Sequence, residues 1–173
     1  MLTKCVLWMI LRQKCECAQA EVSFSSIIYL GTHIILEKDL LPDDTGMILA
    51  NTSDGRLVFV LPYNGYTLVG TTDDMQDVED NPQVQAQDVE FLKSELKRIV
   101  GEDYDFEKNF KSSFAGLRPL CLEEPVSQEE YVEKVKSLKS KDLCRSHIVE
   151  VAKSGLVSLM GGKWTSYRIM GEE

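Results

Sequence analysis

The sequence lacks a long apolar run and an excess of basic residues. No stretch approaches the ~20 consecutive apolar residues that a membrane-spanning helix needs. Lys and Arg number 19 against 28 Asp and Glu, so the formal net charge is −9. That balance disfavours nucleic acid as a partner, because phosphate backbones attract clustered basic side chains. It also gives no attraction to acidic lipid, so any peripheral membrane contact is expected to come from parts outside this sequence.

The cysteines and histidines lack the spacing of a metal site. Among the five cysteines, Cys15 and Cys17 are separated by one residue, where common zinc motifs have two or more. The two histidines lie far apart. An odd number of cysteines without paired spacing is typical of a reducing compartment. We therefore predict neither a metal site nor a structural disulfide.

Complete nucleotide-binding loops are also missing. No GxGxxG occurs, so the sequence does not contain a full dinucleotide-binding unit. A phosphate loop would need Ser or Thr after Gly162-Lys163, but Trp164 stands there.

The segment GGKWTSYR, at residues 161–168, is the most informative part of the chain. It follows an apolar run at residues 155–160 and reads as a strand, a glycine turn and the start of a helix. Such a start leaves backbone N–H groups available to electron-rich ligand atoms, and Lys163 and Thr165 add a cation and a hydroxyl. Taken alone, the pattern more often belongs to a turn that merely joins a strand to a helix.

The rest of the pattern predicts an α+β fold in which strands dominate. Asn64-Gly65 is the signal of a hairpin. Strands are predicted at residues 31–36, 56–61, 66–71, 112–117 (ended by Pro119), 147–151 and 156–160.

One amphipathic helix is predicted between Pro82 and Gly101. Its apolar residues recur at intervals of three and four, which indicates packing against the sheet and no second role. These residues are Val89, Leu92, Leu96 and Ile99. A second, short helix is predicted at residues 128–140, within a charged segment.

Three motifs in this order resemble one enzyme family. They are SDGRLVFVLPYNGYTLVGTTD at 53–73, SFAGLRPL at 113–120 and GGKWTSYR at 161–168. Together they are similar to the FAD-dependent glycerol-3-phosphate dehydrogenases, flavoproteins of the D-amino-acid-oxidase-like fold that pass electrons to quinone. The strand GTHIIL at 31–36 and the segment SHIVEVAKSGL at 146–156 resemble the family too. The resemblance covers residues 31–173.

The resemblance implies a partial chain. It predicts the mainly antiparallel sheet of the substrate-binding region, plus a returning flavin-domain strand and helix start. Residues 1–30 are predicted to be an atypical N-terminal segment outside the family fold. Residues 31–145 would form the substrate-binding sheet region, with an insertion near 121–141, and residues 146–173 the return to the FAD-binding domain. The family's N-terminal glycine-rich loop and C-terminal domain have no counterpart here.

The implied function is oxidation of sn-glycerol-3-phosphate to dihydroxyacetone phosphate, with electrons passed through FAD to quinone. The implied location is the mitochondrion, peripheral to the inner membrane. Because the glycine-rich loop is missing from the sequence, the isolated chain is expected to bind FAD poorly and to be inactive. Two alternatives stay open: a related flavin amine or amino-acid oxidase, and an inactive truncated fragment without FAD.

Three residues carry the predicted chemistry. The rigid fork of Arg118 suits bidentate phosphate contact, and the resemblance implies that it lines the substrate pocket. Arg118 could instead stabilise the developing alkoxide. Lys163 is the second cation, at the boundary of substrate and flavin. His33 is the candidate base, since imidazole titrates near neutrality, although a lone histidine in an apolar strand is usually structural.

The cofactor-binding residues are predicted from the glycine turn. Ser166 stands where the family usually has threonine, a change that keeps the hydroxyl. The predicted FAD contacts are Gly161, Gly162, Lys163, Trp164, Thr165 and Ser166.

Overall fold

The computed structural model describes residues 26–37, 40–42, 45–121, 143, 145–151 and 157–172. These residues divide into two compact units. The sheet unit comprises the described residues within 30–74 and 81–117. The hairpin unit comprises those within 26–29, 75–80 and 118–172.

The main sheet is antiparallel wherever its register is defined, and the α+β prediction is confirmed. Its strand order is β2-β3-β4-β1-β5, and β6 also pairs with β1. The strands are β1 (Ser26–Leu36), β2 (Met47–Leu49), β3 (Val58–Tyr63), β4 (Tyr66–Gly70), β5 (Asp74–Met75) and β6 (Phe110–Cys121).

The predicted hairpin is present between β3 and β4. Tyr63 and Tyr66 are cross-strand partners, and the two residues between them take positive φ values, 50° at Asn64 and 85° at Gly65. Asn and Gly tolerate this conformation better than other residues, which is why the dipeptide predicts the turn.

Helix α1 (Ala86–Val100) covers one face of the sheet. It begins four residues after Pro82, and Gly101, with φ 86°, ends it by donating its N–H to Lys97 O at 2.9 Å. A short helix α2 (Phe106–Asn109), which the sequence did not indicate, is capped by the Asp105 carboxylate.

The core of the sheet unit lies between the sheet and α1. Alternate residues of each strand point to opposite faces, and the inward ones are mainly aliphatic, with Thr32 and Thr67 also buried. The buried cluster contains Ile34, Leu36, Leu49, Val58, Val60, Val69, Leu92, Leu96 and Phe106.

The hairpin unit contains strands β7 (His147–Val151) and β8 (Val157–Gly161), which pair antiparallel. A 3₁₀ turn at Trp164–Ser166 and a short helix α3 (Tyr167–Glu172) follow. The predicted hairpin and the predicted helix start are therefore confirmed.

Several predicted strand boundaries were wrong. β3 spans Val58–Tyr63 and not 56–61, and β6 begins at Phe110 and not at residue 112. β1 begins at Ser26 and not at Gly31, and its residues 27–30 are buried. β6 continues through Pro119 to Cys121. The domain limits at residues 30 and 145 stay predictions. Residues 1–25, the turn at 152–156, and the insertion with its predicted helix at 128–140 lie outside the described residues. Among the helices that the structure describes, none is long and apolar enough to cross a membrane.

Candidate substrate face and glycine turn

The face of the sheet opposite α1 is open and mainly apolar. Its side chains belong to cross-strand rows, because directly paired residues point the same way. One row runs His33, Gly70, Phe59 and Ile48 across β1, β4, β3 and β2. Phe59 is 38% exposed and Ile48 58% exposed. The sequence-predicted base therefore lies on the open face and not in the core.

The His33 imidazole is held by two neighbours. It stacks on the Phe114 ring, with centroids 5.0 Å apart and planes 8° from parallel. It also lies directly over Gly70, where an added Cβ would be 2.8 Å from the His33 Cγ and 3.0 Å from its Nε2. Gly70 thus provides the space in which the ring lies, and only glycine fits there without moving it.

Behind His33, a buried polar group joins β1, the segment after β4, and α1. Thr32 Oγ1 donates to Asp88 Oδ2 at 2.5 Å. The Thr32 N–H donates to Thr72 Oγ1 at 2.9 Å, and the Thr72 N–H donates to Thr32 O at 3.3 Å. All three residues are buried. Each of the three residues thus has a hydrogen-bond partner within the group, as buried polar groups generally do.

The Asp88 carboxyl has a raised pKa. Burial is the main cause; hydrogen bonds from Thr32 and Thr72 oppose it, and the neighbouring Asp74 carboxylate adds to it. Asp74 is paired with Arg56 at 3.3 Å, and Arg56 also pairs with Asp54.

The burial of Asp88 was not predicted from the sequence, because helical periodicity counts only apolar residues. The available signal was its position four residues before Leu92, on the face that packs against the sheet.

A second buried carboxylate on α1, Glu95, is 3% exposed. It accepts hydrogen bonds from the Ser53 N–H at 2.8 Å and from Arg98 Nη1 at 2.6 Å. Burial raises its pKa, but the hydrogen bonds from Ser53 and the charge of Arg98 outweigh burial, and the net pKa is lowered.

Glu95→Gln is expected to destabilise the chain by about 1–3 kcal/mol at pH 7, through loss of charge-assisted hydrogen bonds. Because the folded pKa lies below the ordinary value of 4.5, the Glu95 contribution is present above pH 4.5 and lost as pH falls through the folded pKa. Urea unfolding at several pH values should show the wild-type and variant curves converging in acid. Glu90→Gln, an exposed acid on the same helix, should leave stability nearly unchanged at pH 7; equal losses in both variants would contradict the assignment.

The glycine turn of the hairpin unit needs both of its glycines. Gly161 and Gly162 have φ values of 68° and 77°. A Cβ on Gly161 would lie 2.8 Å from Ser146 O, and one on Gly162 would lie 2.7 Å from Met170 Sδ. The Gly162 N–H donates to Ser146 O at 3.1 Å, so the turn is fastened to the residue that precedes β7.

Gly161→Ala is expected to unfold the hairpin unit locally, because the clash is with a backbone oxygen and the φ value is also unfavourable for alanine. The expected loss is at least ~1–3 kcal/mol, measured by hydrogen exchange of the β7 and β8 amides. Gly171→Ala, in α3 where an added Cβ meets nothing within 4 Å, is the control. Unchanged protection in Gly161→Ala would show that the turn tolerates a side chain.

The residues after the two glycines differ in whether their side chains are available to bind a ligand. Ser166 Oγ accepts from the Lys163 N–H at 3.2 Å and donates to Lys163 O at 2.9 Å, so this hydroxyl stabilises the turn itself. Lys163, Trp164 and Thr165 are exposed, Trp164 by 71%. A cation, an indole N–H and a hydroxyl are thus the side-chain groups that the turn offers to a ligand.

Arg118 is half-buried near the end of β6 and belongs to the hairpin unit. In that unit the end of β6 lies against the glycine turn, since Cys121 Sγ is 3.5 Å from where a Gly161 Cβ would be. The structure therefore brings the β6 end that carries Arg118 close to the turn that carries Lys163. His33 is grouped with Gly70 and Phe114 in the sheet unit. The described residues contain no His, Cys, Asp and Glu cluster suited to a metal ion.

The fold is that of a class of flavoprotein. Residues 22–168 match the family model described as FAD dependent oxidoreductase, and the chain belongs to this family.

Within that class, the chain is similar to glycerol-3-phosphate dehydrogenases, which confirms the resemblance read from the motifs. It is 38% identical over 143 residues to the probable mitochondrial glycerol-3-phosphate dehydrogenase of Dictyostelium discoideum, covering 82% of this chain and 22% of that protein. The corresponding Caenorhabditis elegans protein is 40% identical over 144 residues, covering 83% and 18%.

A solved structure extends the likeness to the fold. The glycerol-3-phosphate dehydrogenase from Bacillus halodurans complexed with FAD has a TM-score of 0.69 and 26% identity, covering 94% of this chain and 28% of that one. The chain spans about a fifth of the length of the two curated relatives.

Proposed function

We propose that this chain is the substrate-binding sheet and the returning flavin-domain strand of an FAD-dependent glycerol-3-phosphate dehydrogenase. The reaction is oxidation of sn-glycerol-3-phosphate to dihydroxyacetone phosphate, with electrons passed through FAD to a quinone. The observation that carries the proposal is the His33 imidazole held on the open sheet face by Gly70 and Phe114. The names of the curated relatives support the substrate.

The donor set of the glycine turn fits a flavin. Lys163, Trp164 and Thr165 are exposed, and a cation with a hydroxyl suits an electron-rich ring edge on which negative charge grows during reduction. Gly161, Gly162 and Ser166 act indirectly: their contacts hold the turn in the conformation that presents the other residues to the flavin. When bound, FAD supplies the acceptor for the hydride that leaves the substrate carbon.

His33 removes the hydroxyl proton in this proposal. A neutral imidazole is a competent base near neutral pH. The stack on Phe114 and the contact with Gly70 restrict the ring to one orientation, which lowers the entropic cost of placing the base against the alcohol. The apolar neighbours Phe59 and Ile48 leave the imidazole as the polar group of its row.

Arg118 and Lys163 bind the phosphate of the substrate. Two cations match a dianion, and the guanidinium would add bidentate hydrogen bonds that fix the orientation of the phosphate. Their elements meet in the hairpin unit, where the end of β6 lies against the glycine turn. Asp54 and Asp74 hold Arg56, so Arg56 is assigned no substrate role.

The cellular setting follows from the same proposal. The curated relatives are described as mitochondrial, which supports a mitochondrial location. Quinone reduction then requires peripheral contact with the inner membrane, made by parts of the protein outside this sequence. The isolated 173-residue chain is expected to retain little FAD, because its sequence has no GxGxxG loop to hold the pyrophosphate.

The proposal is tested with native protein captured from the source cells by an antibody against this chain. Glycerol-3-phosphate should drive reduction of a soluble quinone analogue, and amino acids and amines should not. Activity with an amine and none with glycerol-3-phosphate would assign the chain to an amine oxidase instead. Absence of both activities and of flavin would favour the inactive-fragment alternative.

A further inference from the structure

Helix α1 buries two carboxylates where its pattern calls for apolar side chains. Asp88 and Glu95 are each 3% exposed, on the same helix face as Leu92 and Leu96. A buried carboxylate is costly unless hydrogen bonds compensate it. Each acid therefore needs partners, and the two acids have different ones.

Two of the partners of Asp88 flank the proposed base, and the third, Asp74, is itself paired with Arg56. Thr32, which donates to Asp88, directly precedes His33, and Thr72, which binds both the N–H and C=O of Thr32, follows Gly70 by two residues. Gly70 is the cross-strand partner of His33 and lies beneath its ring. These hydrogen bonds therefore hold β1 and the end of β4 together next to the point where the imidazole contacts them.

We propose that Asp88 is a positioning residue for His33. By holding both Thr32 and Thr72 through hydrogen bonds, Asp88 sets how the imidazole lies over Gly70 and against Phe114. Consecutive strand residues point to opposite faces, so Asp88 acts from the core side and does not touch the substrate. The importance of His33 for the reaction rests on the proposed function, but the link from Asp88 to the imidazole does not.

The partners of Glu95 make it the matched control. It binds Ser53 and Arg98, which are remote in sequence from His33 and from Gly70. Removing either acid deletes a buried, hydrogen-bonded carboxylate from the same helix face. Only the loss of Asp88 should move the imidazole.

The test is NMR of the His33 ring in the 173-residue chain. There are two histidines, so His147→Gln assigns the signals. Stacking on Phe114 gives the His33 ring protons a ring-current shift, and Phe114→Leu defines the value without it. Asp88→Ala should move the His33 signals towards the Phe114→Leu value, whereas Glu95→Ala should leave them at the wild-type position.

Two milder variants keep the test decisive if Asp88→Ala does not fold. Thr32→Val removes the donor hydroxyl at nearly constant shape and should reproduce the shift. Asp88→Asn keeps an oxygen that can accept from Thr32 and should restore the wild-type signals. Unchanged His33 signals in Thr32→Val, or equal shifts in Glu95→Ala, would overturn the proposal.

Measurements of kcat and KM distinguish the positioning role of Asp88 from the role of His33 as the base. In the active dehydrogenase, Asp88→Ala should lower kcat more than it raises KM, because the base is misplaced while phosphate binding is retained. A moved imidazole with unchanged kcat would leave the positioning role intact and remove His33 from the mechanism.

Discussion

His33→Asn in the active dehydrogenase is expected to lower kcat by ~10²- to 10⁴-fold, the usual contribution of a general base. Asparagine keeps a polar side chain of similar reach on the open sheet face but cannot take up a proton. KM for glycerol-3-phosphate should change little, because the phosphate is assigned to Arg118 and Lys163. Steady-state kinetics with a quinone analogue measure both constants.

The pH profile decides whether the His33 effect is chemical. If His33 is the base, the acid limb of kcat/KM in the wild type should be absent from His33→Asn. Ile35→Asn, two residues along on the same face of β1, introduces the same polar group without removing the imidazole and should retain both kcat and the acid limb. An unchanged acid limb in His33→Asn would mean that another group is the base.

Gly70→Ala is expected to have the second largest effect. The new Cβ would lie within 3.0 Å of three imidazole atoms, a separation at which the ring or the strand must shift. A displacement of about 1 Å in a catalytic group can cost ~10²-fold in rate, and overpacking costs about 1–3 kcal/mol in stability. We therefore expect kcat to fall by at least ~10²-fold, with His33 NMR signals moved in the isolated chain.

Gly116→Ala supplies the control for this prediction. Gly116 also lies in a strand, β6, but a Cβ there meets nothing within 4 Å. That variant should retain activity and stability. A fully active Gly70→Ala would show that the imidazole does not need its place over the glycine.

The parts of the fold that were predictable are those fixed by local chemistry. Asn64-Gly65 predicts the hairpin because the turn needs positive φ at both positions, and Gly101 ends α1 for the same reason. Pro119 was misleading, because a proline is tolerated in a strand wherever its missing N–H is not needed for pairing. The start of β1 at Ser26 was missed because the motif resemblance began only at Gly31.

The candidate site was predictable only in part. The motifs predicted His33, Arg118 and the glycine turn as candidate residues. They did not predict the neighbouring residues that position them. The contact of His33 with Gly70 depends on strand register, and the link from Asp88 to Thr32 joins residues 56 positions apart. Such long-range pairings follow from tertiary packing, which local periodicity does not encode.

The most direct test of the central claim is anaerobic flavin reduction in the native protein captured from its source cells, with the intact mass of the same sample. We predict a polypeptide longer than this chain, carrying FAD that is bleached by glycerol-3-phosphate and not by amines. A captured polypeptide of 19.6 kDa without flavin, or a flavin bleached only by an amine, would contradict it.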